Sequence, residues 1–311
     1  MPTLSVRVKF SEVLTFLMFS PGIVVYKFKR MSGQVRASLQ MRKRDRSAAT
    51  LTSKYASHAP SSCPLYAAAQ DQFLKSRRRK MDFDYCCIDS MVACTSSAPV
   101  GGAVNRLADK DRCVEFLKQL LQWKLTRGQF RPGMLQTVLK NNTSDDIAAA
   151  VEVALKGMER FQIRQPSLLQ SLYQQWKGVP NAEVVTVVSV RPLVQQWVDG
   201  VREVSRRLKG VGPATASLML SLPRMEPTEA QNNEQYHFEM HLLRAPFFGD
   251  ELAAELLNKK KLVYTMAEYE AYCEAVAADW IKSMGEEGST MPCPADLVHA
   301  TWAATFLESK K

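Results

Sequence analysis

From about Leu107 onward the apolar residues of this chain recur at spacings of three and four. Val114, Leu117, Leu121 and Leu125 define one face of a helix of about four turns ending near Trp123 to Thr126. Asn142 to Asp146 (NTSDD) then offer capping oxygens and first-turn acids to a helix over Ile147 to Met158. Pro166 opens another that runs through Trp176 and stops at Gly178. The face Leu193, Trp197, Val201, Val204, Leu208 marks a further helix, which runs directly into Gly210-Val211-Gly212. Beyond this break, Ala214 to Leu222, Asp250 to Leu257, Met266 to Ser283 and Pro294 to Leu307 read as helices, and Pro223 to Ala245 as an amide-rich, mildly acidic loop. EVVTVVSV (Glu183 to Val190) is β-branched but has no partner run of similar character, so it is expected to be helical or extended, and buried. The pattern predicts an all-α body.

Charge divides the chain differently. Its 311 residues carry a formal net charge of +10, yet residues 1 to 80 hold 16 Lys and Arg against Glu12, Asp45 and Asp71 only. The remainder, with 25 basic and 28 acidic side chains, is slightly acidic. Two units are therefore expected: a disordered basic tail over 1-80 and a helical domain over 81-311. The clusters RKRDR and KSRRRK suit a nuclear-localising or nucleic-acid-binding tail, and the Ser-rich, acid-poor composition suits a mitochondrial presequence. Nucleus, with mitochondrion as the alternative, is the expected location. The seven cysteines show no paired spacing of a disulfide framework or zinc site. The longest apolar run, Val13 to Tyr26, is broken by Ser20-Pro21-Gly22 and falls short of the roughly 20 residues of a membrane span, so no membrane partner is expected.

The break LKGVGPATAS raises the question of chemistry. Glycine permits positive φ and close approach of another backbone or of a phosphate, and Pro213 suits the first position of a helix. Amides exposed at the start of the second helix, at the positive end of its dipole, would form an anion site, with Leu208, Lys209, Gly210, Val211, Gly212 and Thr215 as the expected contacts to a DNA backbone. Arg202, Arg206 and Lys209 share a face and would flank a nucleic-acid backbone. The competing reading is a tight helix corner whose glycines serve packing alone. A second block, WKLTRGQFRP, interleaves Trp123, Lys124, Arg127, Phe130 and Arg131, which suits stacking on bases and contact with phosphates, or else a helix end with both aromatics in the core. His237 and His241 stand four apart, but not in the order of a zinc-protease helix, and neither a metal nor a cofactor is expected.

LKGVGPATAS resembles the hairpin Leu-x-Gly-Val-Gly-x-x-Thr-Ala of the helix-hairpin-helix (endonuclease III-like) DNA glycosylase superfamily. In that superfamily an apolar segment and an aspartate that opens a helix follow; APFFGDELAAELL is similar, with Asp250 in the matching place. The blocks Trp123 to Pro132, Pro246 to Glu251 and PADLVHATWAATFL further resemble a set of uncharacterised eukaryotic proteins with the same hairpin, over residues 105 to 307. The resemblance implies a glycosylase-like helical domain, DNA as partner, and Asp250 as the catalytic carboxylate that stabilises a cationic sugar while a base leaves. Read locally, Asp250 is instead an N-cap of DELAAELL.

Three departures qualify the resemblance. Ala214 stands where bifunctional members carry a lysine nucleophile, which excludes Schiff-base chemistry through that position. The four-cysteine cluster loop of some members is absent, and the stretch between Gly212 and Asp250 is lengthened. The expected function is DNA binding with monofunctional N-glycosidic base removal; the alternatives are a non-catalytic DNA- or chromatin-binding module and a protein-interaction scaffold.

Overall fold

The structure is a computed structural model that describes residues 50-55, 64-76, 110-127, 133-179, 182, 184-221, 234-284 and 294-309, all within one compact unit, Thr50–Lys311. Among the described residues there are twelve helices and no strand. They are α1 (Leu51–Tyr55), α2 (Pro64–Ser76), α3 (Lys110–Arg127), α4 (Met134–Asn141), α5 (Ser144–Arg164) and α6 (Pro166–Trp176). The second half holds α7 (Arg191–Arg207), α8 (Pro213–Leu220), α9 (Glu234–Leu242), α10 (Asp250–Leu257), α11 (Met266–Ser283) and α12 (Pro294–Glu308). No described helix is long and apolar enough to cross a membrane.

Helix α7 is the centre of the packing. Its buried face, Leu193, Val194, Trp197, Val198, Val201 and Val204, contacts α5, α8 and α11, and the indole N–H of Trp197 donates to the Leu242 carbonyl at 3.1 Å. Leu208 closes the helix in extended conformation, which turns the chain toward the glycines. Helix α8 is buried along its whole length. A helix that is apolar all round must sit inside the protein. Buried indoles of Trp123, Trp197 and Trp280 anchor the core, each removing a large apolar area from water.

The tail expectation is corrected for residues 50-55 and 64-76, which are helical and packed on α11 and α12. Tyr66, Ala69 and Phe73, at spacings of three and four, lay an apolar stripe against Trp302 and Phe306; the phenol of Tyr55 donates to Glu255 at 2.8 Å, and the Leu51 amide donates to Asp279 at 2.8 Å. The surplus of basic residues masked this stripe. The rest of the proposed tail lies outside the described residues.

Two further expectations change. The lengthened segment is not all loop, because α9 inserts Phe238 against Trp176 and buries Leu242. The described residues of EVVTVVSV are not helical and only partly buried: Val185 and Val190 are buried, but Val184 and Val188 remain 76% and 75% exposed. Its middle is a turn in which the Thr186 and Ser189 hydroxyls bond each other at 3.0 Å and each accepts from the other's amide.

Candidate functional site

The corner between α7 and α8 is built as its sequence demands. Gly210 adopts φ of 78°, the left-handed region that penalises any side chain, while Leu208 and Val211 on either side are buried as apolar anchors. Gly212 is the N-cap of α8 with φ of −87° and no neighbour within 4 Å of where a Cβ would stand. No protein acceptor among the described residues takes the N–H of Gly210, Gly212 or Ala214. The corner thus displays the amides of Gly210, Gly212 and Ala214, whereas those of Leu208, Lys209, Val211 and Thr215, expected to be exposed, donate to Val204, Asn142, Leu208 and Gly212, and the Leu208 and Val211 side chains point inward.

Asn142 locks this geometry. Its Nδ2 donates to the carbonyls of Val138 at 2.8 Å and Lys209 at 2.9 Å, and its Oδ1 accepts from the Lys209 amide at 2.8 Å. Asn142 is buried, so the three bonds operate in a low-dielectric setting. The capping of α5 falls to Thr143, which forms a reciprocal box with Asp146.

Asp250 enters from the opposite side. Residues Pro246 to Gly249 are bolted in place: Phe248 N–H donates to Ser217 Oγ at 3.0 Å, and the phenols of Tyr269 and Tyr272 donate to the carbonyls of Pro246 and Phe247 at 3.2 and 2.8 Å. Gly249 is the N-cap of α10, and an added Cβ there would stand 2.8 Å from Val298 Cγ1. Asp250 is therefore the first helical residue and not the cap, which corrects the local reading. Its exposed carboxylate accepts a 2.7 Å hydrogen bond from the Tyr264 phenol.

Tyr264 reaches that position from a rare backbone conformation, φ of 62° in a non-glycine residue. The Glu268 carboxylate holds the conformation by accepting from the amides of Val263 at 2.8 Å and Tyr264 at 2.7 Å, and by pairing with Lys259. Burial pushes the Glu268 carboxyl up, but the Lys259 ammonium and the two amides together outweigh it and hold its pKa below the ordinary value. Backbone strain of this kind needs such over-determined surroundings to persist.

The two halves meet in one cavity of about 250 Å³. Gly210, Gly212, Ala214 and Thr215 line it from the corner; Asp250, Glu251 and Tyr264 line it from the α10 side. Helix α3 adds Trp123, Lys124 and Arg127, and α12 adds Val298, His299 and Trp302. The rim at Gly210, Gly212 and Asp250 is exposed, so the cavity opens there to solvent. Trp123 is fully buried, and the Arg127 guanidinium lies 3.6 Å from the Trp302 ring centre and 4.9 Å from that of Trp123, with the His299 ring nitrogen 3.3 Å away. Burial raises the Glu251 carboxyl; nearby Arg127 opposes the shift and Asp250 adds to it. Lys124 Nζ donates to Thr215 Oγ1 at 2.8 Å, which ties α3 to the first turn of α8.

The expected residues divide accordingly. Gly210, Gly212, Thr215, Trp123, Lys124, Arg127 and Asp250 share the cavity. Arg202 and Arg206 are drawn elsewhere: Arg202 pairs with Asp199 and Glu270, and Arg206 with Glu203, so α7 presents mixed charge where a basic face was expected. Lys209 contributes its backbone to the Asn142 clamp. Phe130 and Arg131 lie outside the described residues. Sequence reasoning missed Asn142 as a clamp, Tyr264, Glu251 and the pair His299 and Trp302. The pair was detectable as a helical i, i+3 face in HATW, and Glu251 as the neighbour of Asp250. Nothing local marks the positive φ of Tyr264.

Comparison with family models, curated proteins and solved structures returned no match.

Proposed function

We propose that the protein is a DNA-binding protein of helix-hairpin-helix glycosylase-like fold that removes a base by hydrolysing its N-glycosidic bond. One observation carries the proposal: the unsatisfied amides of the glycine corner and the Asp250 carboxylate face one cavity. A helix N-terminus with free amides attracts a phosphate, and the corner supplies it without side-chain obstruction. A base turned out of the stack enters the cavity beside the partly exposed rings of Phe247 and Tyr264, with buried Trp123 packed behind Phe247. As the C1′–N bond breaks, its electron pair leaves with the base and the sugar carbon becomes cationic. Asp250, oriented by Tyr264, stabilises that charge until water adds to C1′ and gives up a proton.

A non-catalytic DNA-binding module is the second reading, and the pairing of Arg202 and Arg206 with acids favours it by weakening the grip on a duplex. Two measurements on the full chain decide. Duplex binding should weaken with salt and fail in Gly212→Glu, while release of free base from damaged duplexes should vanish in Asp250→Asn with binding intact. Binding with no base release from the wild type across a lesion panel would establish the second reading.

A further inference from the structure

The link from α10 to α11, NKKKLVYT from Asn258 to Thr265, returns the chain to the cavity mouth, where Tyr264 meets Asp250. Both its ends adopt a conformation that residues with side chains avoid: Asn258 has φ of 53° and Tyr264 φ of 62°, the only non-glycine residues at positive φ among the described residues. Hydrogen bonds fix each end. The Asn258 amide donates to the Ala254 and Glu255 carbonyls, the Lys259 amide donates to Ala254 at 3.0 Å, and Glu268 holds the amides of Val263 and Tyr264. Between these clamps the side chains alternate as in any extended segment: Leu262 and Tyr264 pack on the core, while Lys261 and Val263 are exposed. Lys260 is exposed as well. Backbone strain maintained around outward-facing groups points to a role for those groups.

Their charge indicates which role. The acids beside the link are already engaged: Glu268 pairs with Lys259, Glu255 with Lys54 and the Tyr55 phenol, and Asp250 with the Tyr264 phenol. Neither Lys260 nor Lys261 forms an ion pair with an acid among the described residues, whereas Arg202, Arg206 and Arg207 on α7 all do. Two adjacent cations thus stand without a counter-charge beside the mouth. Three residues of chain span at most about 10 Å, so Lys261 lies no farther than that from Tyr264. One strand of a duplex carries a phosphate about every 3.4 Å, and a strand passing over the mouth therefore brings phosphates within reach of both ammoniums.

The geometry points to the α10–α11 link as a second DNA-backbone contact, in which Lys260 and Lys261 bind phosphates on the side of the cavity mouth opposite the glycine corner. The inference rests on the DNA-binding reading above and is independent of base removal. The contact is to phosphate and so carries no sequence preference. It supplies a grip that the mixed charge of α7 does not, and because the link is clamped at both ends, little backbone order is lost on binding.

The test is duplex affinity of the full chain over a salt series from about 50 to about 200 mM, where the slope of log affinity against log salt counts the phosphates neutralised. Lys260→Gln combined with Lys261→Gln should lower the magnitude of that slope by about 2 and weaken binding at the low-salt end several-fold, equally for unrelated sequences. Lys260→Arg with Lys261→Arg should keep the wild-type slope. Lys156→Gln with Lys177→Gln removes the same charge from lysines paired with Glu152 and Glu234, and should also keep it. A wild-type slope in the Lys260, Lys261 glutamine variant overturns the proposal and leaves the DNA-binding reading standing on the corner. An equal loss of slope in the Lys156, Lys177 variant overturns it too, because net charge alone then accounts for the effect. A wild type that binds no duplex at any salt concentration overturns both readings.

Discussion

Asn142→Asp is the most discriminating perturbation of the glycine corner. The substitution keeps the side-chain shape and the acceptor for the Lys209 amide, but replaces the donor Nδ2 by an oxygen facing two carbonyls at 2.8 and 2.9 Å. Asn142→Ala deletes all three hydrogen bonds; at about 1 kcal/mol each, partly refunded by water reaching the half-buried Lys209 backbone, it should cost about 2–3 kcal/mol. Asn142→Asp should cost at least as much at neutral pH, about 3–4 kcal/mol, because a buried anion then opposes two carbonyl dipoles. Acid reverses the sign of that excess. A carboxyl in this position has its folded pKa raised, so the variant should regain stability relative to the wild type as pH falls through that value, when the protonated acid can donate to one carbonyl. Urea unfolding from pH 7 to pH 4, with hydrogen exchange at Lys209, reads both effects. If Asn142→Asp unfolds like the wild type at neutral pH, or shows no pH dependence, Asn142 is not the clamp.

Other perturbations follow from the same contacts. Gly249→Ala places a methyl 2.8 Å from Val298 Cγ1, a stiff buried neighbour, and should destabilise by about 1–3 kcal/mol; Val298→Ala in the same chain should recover much of the loss in a double-mutant cycle of denaturant melts. The raised Glu251 carboxyl means that the folded state favours its protonated form, so this residue subtracts stability at neutral pH and the deficit shrinks as pH falls through its folded value. Glu251→Gln should accordingly raise Tm at pH 7 and leave it nearly unchanged in acid, a pattern that thermal melts at the two pH values would reveal.

How much of this was legible in the chain depends on whether local pattern and tertiary role agree. Helices α6, α10 and α11 begin and end at their expected residues because proline, a first-turn acid or a capping threonine coincides with the start of an apolar stripe. Helix α2 was hidden because its stripe of Tyr66, Ala69 and Phe73 sits among cationic residues that read as solvated tail. The exposed valines of EVVTVVSV show the converse, since β-branched composition carries no information about burial once no partner strand exists. At the site, LKGVGPATAS announced its turn through glycine, which only a special backbone requires. The position of Asp250 was also legible, but not its freedom from capping, since the cap falls one residue earlier at Gly249, where a side chain would collide with Val298. The Tyr264 contact arises from a conformation imposed by Glu268, four residues onward, and local propensity opposes it.

Duplex affinity of Gly212→Glu against Gly212→Gln, measured by fluorescence anisotropy over a salt series, tests the central claim most directly. Both side chains enter open space at an unstrained φ of −87°, so both variants should fold as the wild type does. If the corner holds a phosphate, the carboxylate should weaken binding about tenfold or more beyond the effect of the amide, most strongly at low salt, where charge repulsion is least screened. Equal affinities for the two variants and the wild type at every salt concentration would contradict the account.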